Sequence, residues 1–150
     1  MQKVKILKLS PEDTALLEAC AELEKICIPE EAWSLESFRS EAEKPSGFVL
    51  AVLDEKQKLA GFLTASCILD TADLTNIAVA PEYRRKGIAG MLLKELCSCI
   101  GNASLFLEVR ESNLPARNFY QKHGFAQVGI RKHFYQNPDE NAILMKWESE

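Results

Sequence analysis

The chain is poor in histidine, has no cysteine pattern typical of a disulfide framework, and contains no long apolar run. Its only histidines, His123 and His133, fall into no ligand spacing with cysteine or carboxylate side chains, so we expect no metal site. The five cysteines form an odd set in mostly apolar surroundings, which favours reduced packing residues over disulfides. No stretch has the length of a membrane span or the pattern of a signal peptide, so we expect a cytoplasmic protein without a membrane partner.

The chain also lacks an excess of positive charge. Eighteen basic and 22 acidic residues give a formal net charge of −4, which argues against a nucleic-acid partner. Arg84, Arg85 and Lys86 are an exception, because they place three positive side chains in one turn. A bound phosphate group would explain such a local basic turn in an acidic chain.

The length and composition suit one compact domain. A chain of 150 residues with 47% hydrophobic composition can bury a core of its own, so we expect a single domain over residues 1–150. The sequence leaves the oligomeric state open, a monomer included.

Apolar periodicity and turn residues predict a fold that contains both helices and strands, an α/β fold with the mixed sheet of the α+β type. A meander of strands, followed by strands that alternate with helices, predicts a mixed sheet covered by helices. We expect Ser10 to cap the first helix, with Pro11 in its first position. The predicted strands are 3–8, 47–54, 59–69, 73–80, 104–110, 125–131 and 141–147. The predicted helices run from Ser10 to about Cys27, from after Ser34 to before Pro45, over 85–100, and from Ser112 or Asn113 to Gly124.

The segment from Asn76 to Gly90 has the features of a phosphate-binding turn. An apolar strand ends at Pro81, and a helix stripe begins at Ile88. Gly87 lies between them and lets the backbone approach a ligand without a Cβ in the way. The first amides of a helix have no intrahelical acceptor and can donate hydrogen bonds to an anion.

The spacing of the glycines and basic residues in this turn excludes two common nucleotide-binding motifs. The Walker pattern G-x-x-x-x-G-K-S/T is absent, and the dinucleotide fingerprint G-x-G-x-x-G is not supplied. A third pattern, Q/R-x-x-G-x-G/A, is filled by Arg84, Gly87 and Ala89. With its preceding strand and Pro-Glu-Tyr turn, the segment resembles the acetyl-CoA loop of the GCN5-related N-acetyltransferase (GNAT) superfamily.

A second segment extends this resemblance. Leu107 to Asn113 reads as a strand that leads into a helix start, and Tyr120 to Phe125 has the spacing Tyr-x-x-x-Gly-Phe. With Asn-Ile-Ala-Val at 76–79, these motifs resemble the RimI-type ribosomal-protein alanine N-acetyltransferases, and the strong part of the resemblance covers residues 73–147.

The resemblance implies a GNAT fold of about seven strands and about four helices, with a splayed V between the strands at 73–80 and 104–110. It also implies acetyl-CoA as co-substrate, with its pantetheine arm along the first of these strands and its pyrophosphate at the basic turn. Asn113 would contact the cofactor arm as well as, or instead of, capping a helix. The implied cofactor-binding residues are Ile77, Ala78, Val79, Arg84, Arg85, Lys86, Gly87, Ile88, Ala89, Gly90 and Asn113.

Two side chains are candidates for proton transfer. Glu108 interrupts an apolar strand, where alternation places it on one face with Phe106, and it matches the general base of RimI-type enzymes. The alternative is an exposed glutamate paired with Arg110. Tyr120 matches the acid that protonates the leaving thiolate, and the alternative is an aromatic core residue. The resemblance implies direct attack of the amine, with no acyl-enzyme.

The acceptor is expected to be an α-amine. An α-amine with a pKa of about 8 is far more often neutral at pH 7 than a lysine side chain near 10.4. By resemblance Trp33 forms one wall for an acceptor peptide, although the proline expected before it is absent, and Tyr135 would form the opposite wall or close the core. The resemblance to RimI-type enzymes implies acetylation of an N-terminal alanine of a ribosomal protein. The alternatives are a lysine- or small-amine-directed enzyme and a non-catalytic acyl-CoA-binding domain.

Overall fold

The structure is a computed structural model that describes residues 3–149, with the side chain of residue 30 excepted. Over this range it has seven strands and four α-helices, with short 3-10 turns at Pro29–Glu31 and Pro81–Tyr83. In chain order the elements are β1 (Lys5–Lys8), α1 (Thr14–Cys27), α2 (Leu35–Glu43), β2 (Gly47–Leu53), β3 (Leu59–Ile68), β4 (Thr71–Val79), α3 (Ile88–Cys99), β5 (Ser104–Arg110), α4 (Leu114–Lys122), β6 (Ala126–Tyr135) and β7 (Glu140–Trp147).

The strands form one mixed sheet in the order β1-β2-β3-β4-β5-β7-β6. The β1–β2, β2–β3, β5–β7 and β6–β7 pairs are antiparallel. β4 and β5 pair in parallel, with Thr71–Asp73 opposite Ser104–Phe106. This mostly antiparallel sheet with four helices confirms the predicted fold class.

The chain divides into two compact units. The first contains the described residues up to Ser66 together with Leu74–Cys99, and the second contains Cys67–Asp73 together with the described residues from Ile100 onward. The predicted single domain and the splayed V both concern the chain as a whole, so both stay predictions.

The core of the first unit lies around β2. Residues 49–53 of this strand are at most 2% exposed, because α2 and α3 both contact it. The rings of Phe38 on α2 and Phe62 on β3 meet edge to face at 5.2 Å, and both side chains are fully buried. On α3 the predicted stripe is confirmed, since Ile88, Leu92 and Leu96 are all buried. These contacts fix the start of α3 against the sheet.

The second unit has a sheet with one better-buried face. Along β5, Leu105, Leu107 and Val109 are buried, whereas the alternate residues Phe106 and Glu108 are only half-buried. This confirms the predicted alternation of β5. On the partner strand β7, Leu144 lies opposite Glu108.

The predicted start of the first helix is wrong. Ser10 does not cap it, because α1 begins at Thr14 and Asp13 takes the N-cap position. The backbone N–H of Ser10 donates to the Asp13 carboxylate at 2.7 Å, and its hydroxyl does so at 3.2 Å. The Asp13 side chain therefore closes a turn over Pro11, and this local hydrogen bonding competes with helix formation.

Other boundaries also differ from the prediction. α3 begins at Ile88 rather than 85, because Arg85 and Gly87 have φ angles of 64° and 80°. β6 continues to Tyr135 rather than ending at 131. Its pairing with β7 shifts register between Arg131 and Tyr135, so the sequence there lacks the regular alternation of polar and apolar residues by which a strand is predicted. β1 begins at Lys5, and β4 begins two residues before its predicted start.

Candidate active site

The turn before α3 is anchored by a buried tyrosine. Tyr83 is 8% exposed, and its hydroxyl donates to Asp54 Oδ2 at 2.5 Å. Asp54 Oδ1 also accepts the backbone N–H groups of Lys56 and Lys58 at 2.8 and 2.9 Å. These hydrogen bonds, with that of Tyr83 first, lower the pKa of Asp54, and the same bond raises the pKa of Tyr83. The turn is thus tied to the loop between β2 and β3.

The basic side chains of the turn are exposed, and two of them, Arg84 and Lys86, make contacts within the protein. The Arg84 guanidinium turns back, so that Nε donates to Val79 O at 3.4 Å and Nη2 donates to Cys27 Sγ at 3.5 Å. The Lys86 ammonium lies 5.3 Å from the centre of the Tyr83 ring. Arg84 therefore joins the turn to the end of β4.

The backbone after these residues fits a phosphate group. Met91 N donates to Gly87 O at 3.0 Å, which closes the first turn of α3. The amides of residues 88–90 come before the first intrahelical donor, so they have no acceptor within the helix and can donate to an anion. A Cβ built on Gly87 would meet no atom within 4 Å, so the space beside it is open. Open space, helix amides and exposed cations are the features that a pyrophosphate seat needs, and the binding of a pyrophosphate here stays a prediction.

The strand before this turn is less buried than the sequence predicts. Ala78 is buried, whereas Ile77 and Val79 are only half-buried. Val79 O accepts hydrogen bonds from Arg84 and, more weakly, from Cys27 Sγ at 3.8 Å. The role of these three residues in holding a pantetheine arm stays a prediction.

Glu108 has the only unsatisfied buried carboxylate oxygen in the described part of the second unit. Its Oε2 is buried and accepts no hydrogen bond, and Arg131 Nε lies 4.0 Å away, beyond hydrogen-bond distance. Arg110 forms a salt bridge with Glu140 at 3.3 Å. Glu108 is half-buried, so the alternative of an exposed glutamate does not describe it, and its role as the base stays a prediction. A half-buried carboxylate with an unused oxygen is suited to accept a proton.

Tyr120 lies in the core of the second unit rather than on its surface. It is 8% exposed, and its ring meets that of Phe125 edge to face at 5.5 Å. Burial and, to a smaller extent, Tyr135 raise the pKa of Tyr120. The phenol is therefore protonated at neutral pH and remains a donor. Tyr135, at the end of β6, packs its ring against the Arg110 guanidinium at 4.4 Å.

Asn113 is a helix cap in the structure. Its Oδ1 accepts the backbone N–H of Ala116 at 3.2 Å, at the start of α4. The cap uses the carbonyl end of the amide, so a cofactor contact through the other end stays a prediction.

Trp33 lies in the loop between α1 and α2 and is half-buried. Its ring meets that of Phe38 edge to face at 5.4 Å. Its backbone N–H donates to the carboxylate of Glu24 at 2.6 Å. Sequence reasoning missed Glu24, which is 1% exposed. A signal was present, because Glu24 lies four residues after the buried Cys20, on the apolar stripe of α1.

Comparison with known proteins decides the family. The family model described as Acetyltransferase (GNAT) family matches residues 15–125, well over half of the chain. The chain belongs to the GNAT family. It is therefore an acyltransferase, as the sequence predicts.

The relatives of this GNAT chain include N-terminal acetyltransferases. It is 39% identical over 119 residues to the ribosomal protein bS18 alanine N-acetyltransferase of Escherichia coli (strain K12), which is 75% of this chain and 78% of that protein. The crystal structure of the ribosomal-protein-S18-alanine N-acetyltransferase from Escherichia coli has a TM-score of 0.84 and 31% identity, over 97% of this chain and 94% of that one. The predicted resemblance to RimI-type enzymes is confirmed.

A third relative shares the fold alone. Arabidopsis thaliana NAA60 in complex with acetyl-CoA has a TM-score of 0.82 at 19% identity, over 98% of this chain and 100% of that one. GNAT neighbours thus include structures that contain acetyl-CoA. A non-catalytic acyl-CoA-binding domain does not fit the curated relatives, which are named as N-acetyltransferases.

Several other features bear on the site. Within residues 3–149, no group of three or more His, Cys, Asp or Glu side chains is arranged to hold a metal ion. All five cysteines are free thiols, and burial raises the pKa of Cys20 to about 12. None of the helices described here is both long and apolar enough to cross a membrane.

Substitution of Gly87 by valine tests the pyrophosphate seat. We expect Gly87→Val to raise the KM for acetyl-CoA by about tenfold or more, because a β-branched side chain fills the open space and strains a φ of 80°. Steady-state kinetics with varied acetyl-CoA measures the effect.

Gly101→Val is the matched control. Gly101 has a φ of 63° and equally open space around its Cβ position, but it lies outside the basic turn. It should lower the melting temperature and leave the KM for acetyl-CoA unchanged. An equal rise of KM in both variants would show that backbone strain, rather than the seat, is responsible.

Proposed function

We propose that this GNAT protein acetylates the α-amine of an N-terminal alanine of a ribosomal protein, using acetyl-CoA and a single domain that spans residues 1–150. The proposal is supported by the curated relatives, which are named as ribosomal protein bS18 alanine N-acetyltransferases. A ribosomal acceptor implies that the reaction takes place in the cytoplasm. Among the structural observations, the unsatisfied buried oxygen of Glu108 carries the proposal.

The acceptor amine must lose its proton to become a nucleophile. In this proposal Glu108 accepts that proton, directly or through a water molecule, as the amine nitrogen attacks the thioester carbonyl carbon. The unused Oε2 supports this role, because a carboxylate oxygen already saturated with donors would be a weaker base. The attack is direct, and no acyl-enzyme forms.

The cofactor supplies an activated acetyl group as a thioester. Arg84, Arg85, Lys86 and the amides from Gly87 to Gly90 would hold its pyrophosphate, and a backbone amide within Ile77–Val79 would polarise the thioester carbonyl. The carbon–sulfur bond then breaks, and the sulfur leaves with the electron pair.

Tyr120 is proposed to donate a proton to the departing sulfur and to recover it from solvent. Its raised pKa keeps the hydroxyl intact at working pH, although it makes the phenol a weaker acid than free tyrosine. We therefore propose that the hydroxyl first donates a hydrogen bond to the sulfur and transfers its proton as negative charge develops there. Trp33 and Tyr135 would contact the acceptor peptide.

A peptide panel tests the choice of acceptor. Each peptide begins with alanine and contains an internal lysine, and matched versions carry a blocked N-terminus or arginine in place of lysine. We expect mass spectrometry to find acetyl groups on the free α-amine and little modification of N-blocked peptides. Exclusive modification of lysine would overturn the proposed substrate and favour the lysine-directed alternative.

Glu108→Gln tests the base. We expect kcat to fall by about 100-fold, because glutamine cannot accept the proton, while the affinity for acetyl-CoA stays within about twofold. Isothermal titration with CoA and kcat measured across pH separate these effects. Glu95→Gln, at an exposed site on α3, is the matched control and should keep full activity. A normal kcat in Glu108→Gln would remove Glu108 from the mechanism.

Tyr120→Phe tests the acid and its pKa. We expect a loss of kcat of about 100-fold with an unchanged fold, because only the hydroxyl is removed. Since burial raises the pKa of Tyr120, the donor is not lost as pH rises from 8 to 10, and wild-type kcat should show no descending limb there. A descending limb centred below pH 9 that disappears in Tyr120→Phe would contradict the raised pKa.

A further inference from the structure

Glu24 is a nearly fully buried carboxylate to which the proposed chemistry gives no role. It lies near the end of α1 in the first unit and is 1% exposed. Burial of a carboxylate is costly unless donors surround it. Its hydrogen bonds should therefore show what it holds in place.

Both oxygens of Glu24 accept hydrogen bonds, from two distant parts of the first unit. Oε2 accepts the backbone N–H of Trp33 at 2.6 Å, in the loop between α1 and α2. Oε1 accepts the side-chain amide of Asn76, which lies 52 residues away on β4. The carboxylate thus bridges the loop that carries Trp33 to the strand that leads into the basic turn.

A chain of polar side chains fixes the direction of this bridge. Because Asn76 presents its Nδ2 to Glu24, its Oδ1 faces Thr64, whose hydroxyl donates to it at 2.7 Å. The Thr75 hydroxyl lies 2.7 Å from Thr64 Oγ1 and donates to Thr64 O at 3.0 Å. From Thr64 through Asn76 to Glu24, each hydrogen bond therefore runs toward the carboxylate. Because the side chains at both ends, Thr64 and Glu24, are buried, this short network specifies the position of the carboxylate.

Trp33 is consequently held at two points. Glu24 binds its backbone, and its ring packs edge to face on Phe38, which in turn packs on the fully buried Phe62. Without the Glu24 contact, the ring would still have an apolar partner, but the backbone of this loop would lose an acceptor inside the unit. The orientation of the Trp33 side chain relative to the loop therefore depends on the hydrogen bond to Glu24.

We infer that Glu24 is a positioning residue, because it holds the backbone N–H of Trp33 and so fixes the position of the acceptor wall. The acceptor wall is the side of the peptide site that Trp33 forms. This inference rests on the proposed function, in which Trp33 contacts the acceptor peptide. Glu24 touches neither reactant, and the length of its side chain matters more than its charge. It should affect the KM for the peptide rather than the binding of acetyl-CoA.

Two substitutions separate length from charge. Glu24→Asp keeps the charge but withdraws the carboxylate by one methylene, about 1.5 Å, so it cannot reach both Trp33 and Asn76. Glu24→Gln keeps the length; its Oε1 can accept from Trp33 while its Nε2 donates to Asn76 after that amide flips. We expect Glu24→Asp to raise the KM for an N-terminal alanine peptide by about tenfold, and Glu24→Gln to stay within about threefold.

Thr64→Val is the matched control. It removes the hydrogen bond from Thr64 to Asn76 and leaves the hydrogen bond between Glu24 and Trp33 in place. It should lower the melting temperature without changing the KM for the peptide. In all three variants the KM for acetyl-CoA should stay within about twofold of wild type.

Hydrogen exchange on the wild-type protein tests the central contact without any substitution. The Trp33 amide should exchange at least 100-fold more slowly than an unprotected amide, because it is donated to a buried carboxylate. Exchange of Trp33 at the unprotected rate would overturn the inference, whether or not the Asp variant folds.

The kinetic outcomes are equally decisive. A lower melting temperature with an unchanged peptide KM in Glu24→Asp would show that Glu24 only stabilises the unit. An equal rise in the KM for acetyl-CoA would also contradict a role at the acceptor wall, and so would rescue by Asp but not by Gln. If the wild-type enzyme modifies no peptide α-amine, the proposed function fails before any variant is made, and the exchange of Trp33 still tests the contact.

Discussion

Left-handed backbone at Arg85 and Gly87 is the constraint on which the basic turn depends. With φ angles of 64° and 80°, these residues lie outside the right-handed helical region and delay the start of α3 to Ile88. For a residue such as Arg85 this conformation costs about 1–2 kcal/mol, so other contacts must hold it. The hydrogen bond from Tyr83 to Asp54 and the burial of Ile88 lie on either side of the turn and do so. The result is a helix start with open amides.

Glu24 and Glu108 differ in how many hydrogen-bond donors contact their carboxylate oxygens. Glu24 has both oxygens occupied by donors from its own unit, which suits it to hold two segments together. Glu108 keeps one buried oxygen without a hydrogen-bond donor, which leaves that oxygen free to accept a further hydrogen bond. The two different roles proposed for these glutamates thus rest on the neighbours of each carboxylate.

The sequence predicted features that depend on local chemistry. The start of α2 after Ser34, the alternation along β5 and the glycine of the basic turn all follow from rules that act over a few residues. It did not predict features that depend on distant partners. Glu24 meets Asn76 across 52 residues, and only the folded chain shows that this glutamate on an apolar stripe is satisfied. Ser10 was misread because Asp13 offers it a competing turn.

We propose that the amides at the start of α3 bind the pyrophosphate of acetyl-CoA. Titration of nitrogen-15-labelled protein with coenzyme A, followed by amide chemical shifts, tests this binding. We expect the amides from Gly87 to Gly90 to show the largest shift changes and to saturate together. Saturable binding with those four amides unmoved and the largest changes elsewhere would contradict it.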